Sequence, residues 1–262
     1  MLLAGGLIGC GSDEGATDLS GFTHASHDYE GPLYVEEAKY GAAGQALDCQ
    51  PAVGQFAREE VYAEGATSDS VEAALETANS EGLFLFAPTE EVRLAKAESD
   101  RALLVHEVDG RILMALVFRN GPATEGAGGP GWYLESAARC DFAELPEAFA
   151  EEAGYRLWHD RDGRPVPVTR VYSAPGPEHC SWQSMEFLYL GDRNSYVREP
   201  TPELRRFVAG PFETDVRLPG DAEDTGYERG GRHLWLAADG TYAYVGSDAR
   251  VQAWPRFDSG CA

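Results

Sequence analysis

Lysine is almost missing from this chain. Lys39 and Lys96 are the only two, and the other basic residues among the total of 21 are arginines, set against 44 acids for a formal charge of -23. A surface so biased repels phosphate backbones and anionic headgroups, which argues against a nucleic-acid partner and against electrostatic attachment to a membrane. Long apolar runs are missing too. No stretch reaches the roughly eighteen residues of a spanning helix, so any membrane attachment must be covalent or hydrophobic. Also lacking are G-x-S-x-G and H-E-x-x-H, the usual marks of a serine hydrolase and a zinc protease. No cofactor motif survives inspection, and the chain is expected to be non-enzymatic.

What the chain does have begins at its start. Leu2-Leu3-Ala4-Gly5-Gly6-Leu7-Ile8-Gly9 is small and apolar, and it stops at Cys10, after which Gly11, Ser12, Asp13 and Glu14 are polar. Residues 1–9 read as the remnant of a signal peptide h-region. Leu7-Ile8-Gly9-Cys10 resembles the bacterial lipobox, in which a peptidase cuts before a cysteine whose thiol carries diacylglycerol. No Lys or Arg precedes the run, so the start of translation is expected upstream. Each buried acyl methylene contributes about 0.8 kcal/mol, which anchors the chain despite its charge. The expected location is the extracytoplasmic face of the cytoplasmic membrane. Residues 10–30 are then the lipidated cysteine and a flexible tether. His24 and His27 lie in it, but a histidine pair without a rigid scaffold is usually just solvated.

Removing Cys10 leaves Cys49, Cys140, Cys180 and Cys261, an even set in an exported chain, and disulfides are the natural reading. Their spacings do not match a zinc site. Three pairings are possible in principle. An internal similarity bears on the choice. Arg101–Val108, Asp109-Gly110 and Arg111–Phe118 lead through Trp132-Tyr133-Leu134 to Cys140. Arg232–Ala238, Asp239-Gly240 and Thr241–Val245 lead through Val251–Trp254 to Cys261. Asp-Gly is the signature of a two-residue type I′ hairpin. If the halves are related, each closes on itself, pairing Cys49 with Cys140 and Cys180 with Cys261. The expected fold is therefore α+β and predominantly antiparallel β, with strand-rich halves at 31–146 and 147–262.

Between these landmarks, Asp69-Ser70-Val71-Glu72 has the capping-box form, and Val71, Ala74, Leu75 and Ala78 fall on one helical face. Leu83–Phe86 reads as a buried strand. In the first hairpin, an unbroken ladder places Leu103, Val105, Ile112, Met114 and Leu116 on one face and Leu104, His106, Leu113 and Ala115 on the other. Both faces are apolar, so it is expected in the middle of a sheet, with His106 a hydrogen-bonded core residue. Leu145–Ala153 reads as a joining helix, and Gly210–Gly231 as loop.

Several signals imitate chemistry. Asp224-Thr225-Gly226 and Asp258-Ser259-Gly260 match the aspartic-protease triplet, but they lack the preceding apolar strand and lie too close together to come from separate lobes. Gly126–Gly131 fits G-x-G-x-x-G literally, yet a strand follows where a nucleotide site needs a helix. His159–Gly163 lacks the first ligand and the terminal glutamate of a calcium loop. Trp235, Tyr242 and Tyr244 share one face of the second hairpin. If Leu234, Leu236, Ala243 and Val245 pack inward, these rings meet a sugar or a partner protein; if both faces are buried, they are core.

Pro175-Gly-Pro-Glu-His179-Cys180-Ser-Trp182-Gln-Ser, then Asp224-Thr-Gly-Tyr, Leu234-Trp-Leu, Val251, Trp254-Pro255 and Cys261-Ala262, resembles uncharacterised lipoproteins of actinobacteria. These motifs look structural, and the resemblance implies no catalytic residue. The expected function is that of a cell-envelope lipoprotein which binds an envelope protein or wall component. A glycan-binding module using Trp235, Tyr242 and Tyr244 is one alternative. A hydrolase with an unlocated carboxylate pair is the other.

Overall fold

The computed structural model describes residues 19–36, 40–49, 53–57, 67–80, 91–121, 129–191, 194–247 and 249–258. They form predominantly antiparallel sheets with a few short helices. None of those helices is long and apolar enough to cross a membrane. The chain divides into two compact units at Ala138 and Arg139, with Asp48 and Cys49 belonging to the second.

The first unit holds a sheet of β1 (Val53–Ala57), β2 (Val92–Ala97), β3 (Arg101–Val108), β4 (Arg111–Gly121) and β5 (Gly131–Arg139), in the order β1-β5-β4-β3-β2. Two helices, α1 (Gly41–Gln45) and α2 (Val71–Ser80), belong to the same unit. Helix α2 buries Val71, Ala74, Leu75 and Ala78, the stripe its periodicity predicts. Its cap is Ser70 rather than Asp69, since the Ser70 hydroxyl accepts the Ala73 N–H at 3.2 Å.

Asp109 and Gly110 join β3 to β4 with φ of 51° and 74°. Beyond this turn the ladder departs from the unbroken register. A bulge between His106 and Glu107 pairs His106 with Met114 and Leu104 with Leu116, so Met114 and Leu116 sit on the opposite face to Leu103 and Val105. A one-residue slip exchanges every side chain between faces. Here both faces are buried, so the exchange exposes no apolar surface.

The segment expected to be tether is bound to this sheet near its end. Leu94 N–H donates to the Thr23 carbonyl and Ala25 N–H to the Leu94 carbonyl, at 2.8 and 2.9 Å. Ser26 donates to Glu107 from its N–H at 2.9 Å and from its hydroxyl at 2.7 Å. Backbone pairing of this kind needs no hydrophobic pattern, which is why composition alone pointed to a spacer.

Among the described residues the second unit carries α3 (Glu147–Glu152) and nine strands: β6 (Arg156–Leu157), β7 (Val171–Pro175), β8 (Glu186–Leu190), β9 (Asn194–Arg198), β10 (Glu213–Val216), β11 (Glu223–Arg229), β12 (Arg232–Leu236), β13 (Tyr242–Ser247) and β14 (Arg250–Phe257). Strands β10 and β11 occupy the stretch read as loop. Their side chains are polar and mostly exposed or half-buried, so no apolar alternation marks them, and it is pairing with β14 and β12 that makes them strands.

The strand order is β11-β12-β13-β14-β9-β8-β7-β6, with β10 attached to β14. Just past β6, His159 N–H donates to the Glu228 carbonyl at 2.8 Å, and Glu228 N–H donates back at 2.9 Å. This reciprocal pair bridges the two ends of the strand order, and the core shared by both ends wraps the sheet into a barrel. The interior is filled by Trp158, Val171, Leu188, Tyr196, Val245 and Trp254, all nearly inaccessible. In the second hairpin Leu234 pairs with Val245 and Trp235 with Tyr244. Its turn differs. Gly240 N–H donates to the Ala237 carbonyl at 2.8 Å, and Gly240 has a φ of 70° whereas Asp239 is not among the residues with positive φ. The Asp239 carboxylate accepts the Thr241 N–H and hydroxyl at 2.9 and 2.6 Å, a side-chain closure that replaces the type I′ geometry.

Candidate functional site at one end of the barrel

Side chains alternate across a strand, so every second residue of a barrel strand continues the inward face. Following Trp158 along β6 gives Arg156, following Leu188 along β8 gives Glu186, and following Tyr196 along β9 gives Arg198. Glu186 and Arg198 are direct cross-strand partners. From β11, the guanidinium of Arg229 lies 5.4 Å over the ring of Trp158. Where the apolar interior stops, three guanidiniums therefore meet one carboxylate.

Glu186 is the hub. Its Oε1 accepts from Arg156 Nη1 at 3.0 Å and from Arg229 Nη2, and its Oε2 lies 3.6 Å from Arg198 Nη1. Arg198 also reaches Glu199 at 3.6 Å. The Glu186 side chain is 10% exposed and that of Arg229 16%, whereas Arg156 is 50% exposed. Burial pushes the Glu186 carboxyl upward, but the charges and hydrogen bonds of Arg229 and Arg156 outweigh it and hold it below its ordinary value. Burial dominates at Arg229, whose guanidinium is pushed down despite Glu186. Arg198 Nε and Arg229 Nε are buried with no hydrogen-bond acceptor among the described residues.

Two clefts open beside the cluster, and Arg156 and Pro175 wall both. The smaller, about 200 Å³, is lined also by Glu186, Arg198 and Glu199. The larger, about 490 Å³, is lined also by Tyr155, Leu157, Arg229, Glu147 and Glu151. Tyr155 is held by neighbouring rings, with Phe142 at 4.7 Å and Tyr172 at 4.9 Å, and Tyr172 stacks on Tyr189 at 4.6 Å. Burial pushes the Tyr172 phenol up to about 12, so it stays protonated.

The first unit offers a useful contrast. There Glu135 accepts from Arg101 at 2.8 and 2.9 Å with Arg119 at 3.5 Å, and Asp100 takes Arg101 at 2.7 Å. Among the described residues the acids and bases in ion-pair contact match in number there, as they do not around Glu186.

The residues singled out from sequence fall as follows. Cys10 lies outside the described residues. Cys49 and Cys140 form a disulfide across 91 residues. Cys180 is disulfide-bonded, and Cys261, the partner expected for it, lies outside the described residues. Leu234, Ala243 and Val245 pack in the barrel interior with Leu236 against them. On the other face Trp235 is buried at 7% exposure, and Tyr242 and Tyr244 are half-buried and stacked at 6.1 Å. His106 is buried, with Nδ1 3.4 Å from the Glu91 carbonyl. His27 sits 3.7 Å from Glu107. Asp224 accepts Gly226 N–H and Arg161, each at 2.7 Å, within a bulged strand, and Asp258 pairs with Arg256. Residues 83–86, 126–128, 259 and 260 lie outside the described residues.

Arg156, Glu186, Arg198 and Arg229 belong to no motif in the sequence. Their signal is a charge in phase with core residues: Arg156 two before Trp158, Glu186 two before Leu188, Arg198 two after Tyr196. In phase with an inward face, such a residue marks the end of a barrel interior. No protein-family model, curated protein or solved structure matches the chain.

Proposed function

We propose that the protein is an exported, lipid-anchored and non-enzymatic binding protein of the cell envelope, with the end of its C-terminal barrel as the binding element. Cys10 after a small apolar run supports the anchor, and bonded Cys49, Cys140 and Cys180 suit an oxidising compartment. The resemblance to actinobacterial lipoproteins agrees with that location. Both β3-β4-β5 and β12-β13-β14 lie side by side in chain order, which supports reading the two parts as related halves.

The observation that carries the binding reading is the meeting of two clefts along Arg156 beside a partly buried ionic cluster. Glu186, the carboxylate at the centre of that cluster, is held below its ordinary value by Arg229 and Arg156 and so serves as an ionised acceptor. Ligand-observed NMR on the detergent-solubilised full-length chain, against small envelope-derived molecules, tests this. Saturable binding without ligand consumption is expected, weakened by Arg156→Ala; turnover of a bound molecule sinks the non-enzymatic reading. Mass spectrometry of native material should find diacylglycerol on Cys10, and an unmodified thiol refutes the anchor.

The stacked Tyr242 and Tyr244 favour a second reading, a sugar-binding face on the outside of the barrel. Glycan binding unchanged after replacement of both by alanine removes it.

A further inference from the structure

We propose that the arginine cluster takes the carboxylate of a small monoanionic ligand whose apolar body lies along Tyr155 in the larger cleft. This rests on the binding reading above and names the ligand class.

Charge imbalance comes first. Around Glu186 stand Arg156, Arg198 and Arg229, and among the described residues the carboxylates in ion-pair contact with these three guanidiniums are Glu186 and Glu199. Like charges this close repel one another, with the least screening at the more buried Arg229. An entering anion relieves that repulsion and supplies acceptors to guanidiniums that have more donors than partners. The comparable cluster on Glu135 is already balanced, which separates an ion network that only holds strands from one with capacity to spare.

Access follows from geometry. Arg156 is half exposed and faces both clefts, so N–H groups other than the one on Glu186 can meet a ligand. A planar guanidinium fork matches the two oxygens of a carboxylate.

The walls set the rest of the ligand. Tyr155, Leu157 and Pro175 give an apolar surface, and contacts with Phe142 and Tyr172 keep the Tyr155 ring in place. Glu147 and Glu151 line the same cleft, so a second negative charge is opposed. A monocarboxylate with a ring or short aliphatic body fits, whereas a dianion does not.

Benzoate, benzamide and inorganic phosphate are the probes, titrated into the full-length chain with calorimetry as the readout. Benzoate should bind saturably, at least tenfold tighter than either of the others. Arg156→Ala should weaken benzoate at least tenfold with an unchanged circular dichroism spectrum, and Glu186→Gln, which removes the internal competitor, should tighten it several-fold. Benzamide binding as well as benzoate overturns the inference but leaves a binding cleft. Phosphate binding more tightly than benzoate overturns it as well. If none of the three binds, the inference falls, and the broader NMR screen decides the binding reading separately.

Discussion

Replacing Glu186 by glutamine keeps the shape of the hub and removes its charge. Three guanidiniums then face one another with no central anion, and the most buried of them, Arg229, loses the partner that offsets its desolvation. Removing one member of a buried ion pair costs about 3–5 kcal/mol. Arg156 and Arg198 are exposed enough for water to screen part of their repulsion, which points to the lower end, about 3 kcal/mol. At roughly 3 °C per kcal/mol for a chain of this size, Tm should fall by about 10 °C. Thermal unfolding followed by circular dichroism at neutral pH measures it. The pH dependence has a definite sign. Glu186 titrates below its ordinary value of 4.5 when folded, so its contribution is complete above that value and disappears as pH falls through the folded pKa. The gap between wild type and variant should therefore be constant above about pH 5 and shrink on acidification. Added benzoate should restore part of the lost Tm by returning a negative charge to the cluster. A variant as stable as wild type at pH 7, or a gap that widens in acid, would refute the account of the cluster.

Three further outcomes follow from other contacts. The Asp141 carboxylate accepts the N–H groups of Ala143 and Val168 at 2.9 Å and lies 3.4 Å from that of Thr169; Asp141→Ala should cost about 2 kcal/mol in chemical denaturation, and a change near zero counts against it. A Cβ on Gly246 would lie 2.7 Å from Val251 Cα and against the Arg250 carbonyl, so Gly246→Ala should destabilise by about 1–3 kcal/mol, whereas an unshifted denaturation midpoint contradicts that crowding. Burial pushes the Glu107 carboxyl up, but its Ser26 hydrogen bonds prevail and hold it down, so its support of the N-terminal segment is present above about pH 4.5 and lost below. The Ser26 amide resonance should titrate in that acid range in wild type and not in Glu107→Gln.

The parts of this protein legible in sequence are those decided by near neighbours. Val71, Ala74, Leu75 and Ala78 are buried where a 3.6-residue period puts them, and the alternation of Leu234, Trp235 and Leu236 assigns each to its face of β12. Turn chemistry was readable only where nothing else intervened: Asp109-Gly110 takes positive φ at both residues, while the Asp239 carboxylate captures Thr241 and changes the turn. Only tertiary structure decided the bulge at His106, the pairing of β10 and β11, and the bridge between the ends of the strand order through His159 and Glu228. The candidate site belongs to this second class. Arg156 and Arg229 stand 30 and 43 residues from Glu186, and what makes them a site is their convergence where the interior ends. A charged residue in phase with a core face satisfies the strand pattern anywhere along the chain. Its neighbours across the barrel, set by strand order and register, determine whether it meets water, a partner or a ligand.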